Sequence, residues 1–134
     1  MGTGNPHGTV DIEWHDNVLV LRCHGPYNSE GIGQSIALTK ADVAEKAFEH
    51  WYRIDILDDE TLGSPEVVQL IGEFYVWCMH NQCTEAVIVC SNVIQEQLVQ
   101  QFIDRTGARM VTAKLYNEAI NYINLKSAGD KSAS

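Results

Sequence analysis

The chain has 134 residues, with 9 basic and 18 acidic side chains and a formal net charge of −9. Its 45% hydrophobic and 20% charged content is that of an ordinary globular protein, and the length suits one domain rather than two. The acidity argues against nucleic acid and anionic membrane surfaces as partners, and no apolar run approaches the ~20 residues that span a bilayer.

Residues 1–8 hold three glycines and a proline and read as a disordered lead-in. They show neither the basic region nor the apolar core of a signal peptide, so a soluble cytoplasmic domain with reduced Cys23, Cys78, Cys83 and Cys90 is expected. Val10–Trp14 alternates apolar and polar residues, the period of a half-buried strand. After the turn signal His15-Asp16-Asn17, Val18–Cys23 predicts the second arm of a β-hairpin. A helix is predicted from Ser29 or Gln34 to about His50, with Ile36, Val43, Ala44, Ala47, Phe48 and Trp51 on its apolar side. Gly31 and Gly33 weaken its first turn by roughly 1 kcal/mol each relative to alanine.

Tyr52–Leu57 reads as a strand, followed by the acidic loop Asp58-Asp59-Glu60-Thr61-Leu62-Gly63. Ser64-Pro65 is a strong helix start, serine as N-cap and proline in the first turn. That helix runs to about Asn81, with Leu70, Ile71, Phe74, Tyr75 and Cys78 on its main stripe. The continuous apolar run within Thr84–Cys90 suits a central strand buried on both faces. Asn92 caps a helix that carries Ile94, Leu98 and Phe102 on one face and stops at Gly107. Arg109–Leu115 is a last, more exposed strand, and Asn117 caps a short final helix with Ala119, Ile120 and Ile123. Residues 126–134 read as a disordered polar tail, which leaves residues 9–125 as the domain. The order β-β-α-β-α-β-α-β-α implies an α/β fold: a mixed, mostly parallel sheet of about five strands with four helices.

This order, the opening hairpin, and Ile54-Asp55-Ile56-Leu57-Asp58 leading to Gly63-Ser64-Pro65 at a helix start resemble the STAS fold of sulfate transporters and anti-sigma factor antagonists. The likeness is to small single-domain, anti-sigma-antagonist-like bacterial proteins, some grouped with the lipid-binding Sec14 type. In the anti-sigma antagonists this segment carries an Asp-Ser-Ser/Thr-Gly motif whose serine is phosphorylated. The tetrapeptide is absent here; Ser64 is the nearest position match and Thr61 the second. The resemblance implies a regulatory module rather than an enzyme.

Several residue groups are candidate sites. Ser64 reads either as an N-cap or as a phosphoacceptor facing free helix N–H groups, with Asp58, Asp59 and Glu60 repelling a phosphate there. Asp55, Asp58, Asp59 and Glu60 sit at a strand's carboxyl end, where ligands of open parallel sheets bind, and offer an acidic Mg²⁺ site or a solvated loop. Cys78, His80 and Cys83 lack a common zinc spacing, and small buried hydrophobes are their expected role. His7, His15, His24, His50 and His80 belong to no motif, and Gly31-Ile32-Gly33 lacks the rest of a nucleotide-binding loop.

Val68, Val76, Trp77 and Met79 fall outside the main stripe of the second helix, so its apolar arc is wider than one buried face needs. Either the domain covers this helix on two sides or a partner does. The expected function is therefore a non-enzymatic interaction module without a metal or cofactor. It would bind a protein partner, or a second copy as a homodimer, through Pro65–Asn81 and the loop Asp58–Ser64, with Val68, Val76, Trp77, Met79, Asp58 and Asp59 in the contact. The alternatives are a carrier of a small apolar ligand or lipid, and a Mg²⁺ site on Asp58 and Asp59.

Overall fold

Apolar side chains in β-strands need two covered faces when they run continuously and one when they alternate. The computed structural model describes residues 5–61 and 64–133 and follows that rule. Leu62 and Gly63 of the acidic loop, and the lead-in up to Gly4, lie outside the described residues. The elements are β1 (Thr9–His15), β2 (Val18–His24), α1 (Ser29–Lys46), β3 (Trp51–Leu57), α2 (Pro65–His80), β4 (Cys83–Val89), α3 (Val93–Thr106), β5 (Met110–Ala113) and α4 (Tyr116–Ala133). They form one five-stranded sheet in the order β1-β2-β3-β4-β5, with β1 antiparallel to β2 and every other neighbouring pair parallel. Each crossover steps to the next strand in the same direction, which puts its helix on the same face each time.

Two layers of helix therefore sandwich the sheet. Val18, Val20, Tyr52, Ile54, Val87 and Val89 face α4 through Ala119 and Ile123. On the other face Leu19, Leu21 and Trp51 pack with Val43 of α1 and with Phe74 and Cys78 of α2. Further along, Ile88 and Met110 meet Tyr75 of α2 and Val99 and Phe102 of α3.

The period of β3 also sends two charged residues into this second face. Arg53 is fully buried and Asp55 nearly so. The guanidinium donates from Nε to Asp55 Oδ1 at 2.9 Å and from Nη2 to Oδ2 at 3.0 Å. Nη1 points at Cys78 Sγ, 3.3 Å away, and the ring of Phe74 stacks 5.0 Å from the guanidinium carbon. Burial disfavours both charges, but the opposing pull of the neighbours, Asp55 foremost, leaves Arg53 holding its proton more tightly than usual. Burial pushes the Asp55 carboxyl up, with Arg53 opposing. Asp55 thus belongs to the core and not to the cluster of solvated acids with which the sequence reading grouped it.

Three boundaries differ from the sequence reading. Helix α1 stops at Lys46, because Ala47 turns left-handed (φ 52°) and donates to Val43 O at 3.1 Å. Trp51 consequently belongs to β3, held by bonds from its amide to Gln82 O and from its indole to Asn81 O. Residues 5–8 do not trail away. His7 exchanges hydrogen bonds with Asn28, the N-cap of α1, and its carbonyl lies on Gly31, where a Cβ would come within 1.7 Å. At the other end α4 continues to Ala133 instead of leaving a tail at Lys126. The stretch contains no proline, and Lys126 reaches Glu85 at 3.6 Å.

These contacts fix three expectations for urea denaturation. Gly31→Ala lowers stability by about 1–3 kcal/mol, the cost of overpacking against the His7 carbonyl. Gly33→Ala, whose Cβ would meet nothing within 4 Å, raises it by about 0.5–1 kcal/mol. Arg53→Met strands the Asp55 carboxylate and costs about 3–5 kcal/mol, whereas the double change R53M/D55L recovers most of that loss.

Candidate functional site

A cavity of about 110 Å³ lies between the sheet and α2. Leu21, Arg53, Asp55, Leu57 and Ile88 form its floor, Val68, Ile71, Gly72, Phe74 and Tyr75 its roof. Ile32, Ile36 and Thr39 of α1 close one side, and Leu98, Val99 and Phe102 of α3 the other. Among the described residues no buried side-chain nitrogen or oxygen lacks a hydrogen-bond partner, so the lining asks nothing polar of an occupant. Leu98, 38% exposed, is the lining residue most open to solvent and marks the seam between α2 and α3.

The loop after β3 is organised by its own carboxylate. Asp58 accepts from the amide of Gly25 at 3.0 Å, the amide of Glu60 at 3.1 Å and the hydroxyl of Thr61 at 2.7 Å. Burial raises this carboxyl, but the bonds from Thr61, Gly25 and Glu60 outweigh it and hold the group below its usual range. Gly25 is needed here, since a Cβ would sit 2.3 Å from Glu60 O. Thr61 is 2% exposed, with its oxygen committed to Asp58, which removes it as a phosphoacceptor in this conformation. Ser64 is exposed and caps α2, its Oγ accepting from the Val67 amide at 3.4 Å. Asp59 accepts from Ser91 Oγ at 2.6 Å and so ties the loop to the start of α3. The acids of the imagined Mg²⁺ site therefore do not converge. Asp55 faces Arg53, Asp58 turns into its own loop, and Asp59 reaches Ser91. No group of three potential metal ligands occurs among the described residues.

The wide apolar arc of α2 is largely answered inside the domain. Trp77 stacks on Phe74 at 6.0 Å with Lys40 of α1 over its ring, and it is half-buried. Met79 is half-buried beside Arg109, and Val68 roofs the cavity. Val76, 49% exposed, is the member of the set left at the surface. Of the contact proposed from sequence, Trp77, Val68 and Met79 are thus committed to the fold.

The larger apolar exposure is on α3, where Val93 is 63% and Ile94 69% exposed. The sequence pattern put Ile94 on the inner face with Leu98 and Phe102. In the structure Gln95 takes that place, 2% exposed, donating to Asp58 O at 2.6 Å and accepting from the Ser91 amide at 2.7 Å. A glutamine that satisfies two loop backbone groups outranks an isoleucine at that turn, because an unpaired buried peptide group costs about 1–3 kcal/mol. The loop geometry that sets this rotation is not written in the helix's own periodicity.

All four cysteines are free thiols. Burial pushes Cys83 up to about 12 and Cys90 up to about 11, and raises Cys23 and Cys78 as well, so each holds its proton at neutral pH. Thiols in this state are poor nucleophiles and poor metal ligands. Cys78, Cys83 and Cys90 serve as small core residues, as their sequence positions suggest.

No protein-family model matches the chain, and no curated protein matches it. Its structure is similar to that of an uncharacterized protein of the DUF3478 family from Shewanella loihica PV-4, described as having a SpoIIAA-like fold. The two share a TM-score of 0.63 at 14% sequence identity, over 91% of this chain and 98% of that one. At that identity the likeness speaks for the fold. The chain has the five-stranded, four-helix α/β architecture of the SpoIIAA-like, STAS-like class. No helix among the described residues is long and apolar enough to cross a membrane.

Proposed function

We propose that this chain is a non-enzymatic, cytoplasmic interaction module that binds a protein partner on the N-terminal half of α3 and the adjoining edge of α2. The observation that carries the reading is the adjacent exposure of Val93, Ile94 and Leu98, at 63%, 69% and 38%, on a helix whose inward position is filled by a glutamine. Leaving such side chains in water costs each about 1.5–3 kcal/mol relative to burial, and Leu98 also lines the apolar cavity. The STAS-like fold agrees with a regulatory role.

A photo-crosslinking amino acid placed at Ile94 of the full chain, expressed in its source cells, is expected to yield a discrete adduct that the L98S change diminishes. The same group at Leu125, which is 76% exposed on α4, is expected to yield none. Equal adducts from both positions would count against the reading.

The cavity supports a second reading, the holding of a small apolar ligand. Its volume of about 110 Å³ approaches the ~150 Å³ engineered cavity that takes up benzene, and falls well below what a whole lipid fills. Benzene titrated into the chain should then shift the methyl resonances of Val68, Ile71 and Leu98 and stabilise the fold by about 1.4 kcal/mol at ten times its Kd. V68W, which fills the roof, should abolish both effects. Methyl groups that stay unmoved at benzene saturation would exclude an accessible cavity.

A further inference from the structure

We propose that the partner presents a basic amphipathic helix, a statement that rests on the interface reading above and names the chemistry that surface selects. Between Ile54 and Asp104 the chain has no lysine or arginine, while nine of its 18 acidic residues fall there. That stretch supplies the loop after β3, all of α2, and α3 up to its last turns.

The structure gathers five of these acids around the apolar patch. Asp59 is bonded to Ser91, two residues before Val93. Asp58 receives Gln95 through its carbonyl, and Glu60 is exposed beside Asp59. Glu66 and Glu96 occupy the first turns of α2 and α3. The positive ends of these two helices offset about half a charge each. Lys114, which follows β5 at the same sheet edge, offsets one more. The surface remains net negative by roughly three charges, with Val93, Ile94 and Leu98 in its midst.

This combination discriminates among occupants. A second copy docking through the same patch about a two-fold axis would set acid against acid, and the whole chain already carries −9. An anionic lipid surface is repelled for the same reason. An extended peptide would need an unpaired strand edge, whereas the apolar strip here lies along a helix. A helix laid beside α3 brings apolar residues at i and i+4 onto Ile94 and Leu98, which have that spacing themselves, and its flanking lysines or arginines meet the carboxylates of Asp59, Glu60, Glu66 and Glu96.

The test uses the intact isotope-labelled chain and three synthetic 18-residue helical peptides that share one leucine stripe, with lysine, glutamine or glutamate at the remaining positions. The Leu/Lys peptide is expected to perturb amides of residues 59–60, 64, 66–68 and 91–98. Its affinity should fall about tenfold between 50 and 500 mM NaCl, as screening removes the charge contribution. E60Q/E66Q/E96Q should weaken it about tenfold as well, while E45Q/E49Q, near the opposite end of α1, should leave it unchanged.

If the Leu/Gln peptide binds the same amides as tightly, the basic assignment falls and the interface stands. If the Leu/Lys peptide leaves residues 91–98 unperturbed, or the two glutamine variants weaken it equally, the proposal is overturned. The interface reading has its own failure, equal crosslinking from Ile94 and Leu125, so the two are separable.

Discussion

The pairing of Arg53 with Asp55 is the constraint around which the α1–α3 side of this protein is arranged. Two charges in the middle of the central strand are tolerable only with both carboxylate oxygens and the guanidinium fork engaged, and they are. The consequences spread outward. Phe74 and Cys78 of α2 face the guanidinium instead of another aliphatic layer, so α2 sits above a polar seam. The pair also forms part of the floor of the cavity beneath α2. A well-packed aliphatic pair is often as stable as such an ion pair, so stability alone gives little reason for it.

The architecture was legible because it is written in short-range periodicity. Alternation in Val10–Trp14, the continuous run of Val87–Val89 and the Ser64-Pro65 start each specify an element through its own neighbours, and all reappear. The edge position of β5 likewise follows from its alternation and its flanking charges. What failed depends on contacts distant in sequence. Asp55, though read as part of a strand, grouped with the loop acids because nothing local distinguishes a buried carboxylate from an exposed one; its partner two residues earlier was the available signal. Residues 5–8 looked idle because the pairing of His7 with Asn28 spans 21 positions.

The candidate surface shows the same division more sharply. The sequence established that apolar area exceeds what one helix face requires, but assigned the excess to α2. Trp77 finds Phe74 and Lys40, so the surplus there is absorbed within the fold. On α3 the helical wheel puts Ile94, Leu98 and Phe102 together, yet one buried glutamine bonded to loop backbone turns Ile94 outward. Hydrogen-bond satisfaction has thus overruled hydrophobic periodicity at a single position, and the exposed patch is its result.

That rotation also links the loop to the surface. Asp58 holds Gly25, Glu60 and Thr61 through its carboxylate, while its carbonyl holds Gln95 and, through Gln95, the amide of Ser91. The end of β2, the acidic loop and the first turn of α3 are therefore one hydrogen-bonded unit. Its geometry needs an ionised Asp58, whose carboxyl is held below the usual range. Stability from this group is complete above its unfolded pKa and is lost as pH falls through the lower folded value. At neutral pH the unit is intact, and it presents its carboxylates and the apolar start of α3 together. The acids that organise the backbone are neighbours in the chain to those that face solvent, so the fold's own loop chemistry sets the charge of the surface a partner would meet.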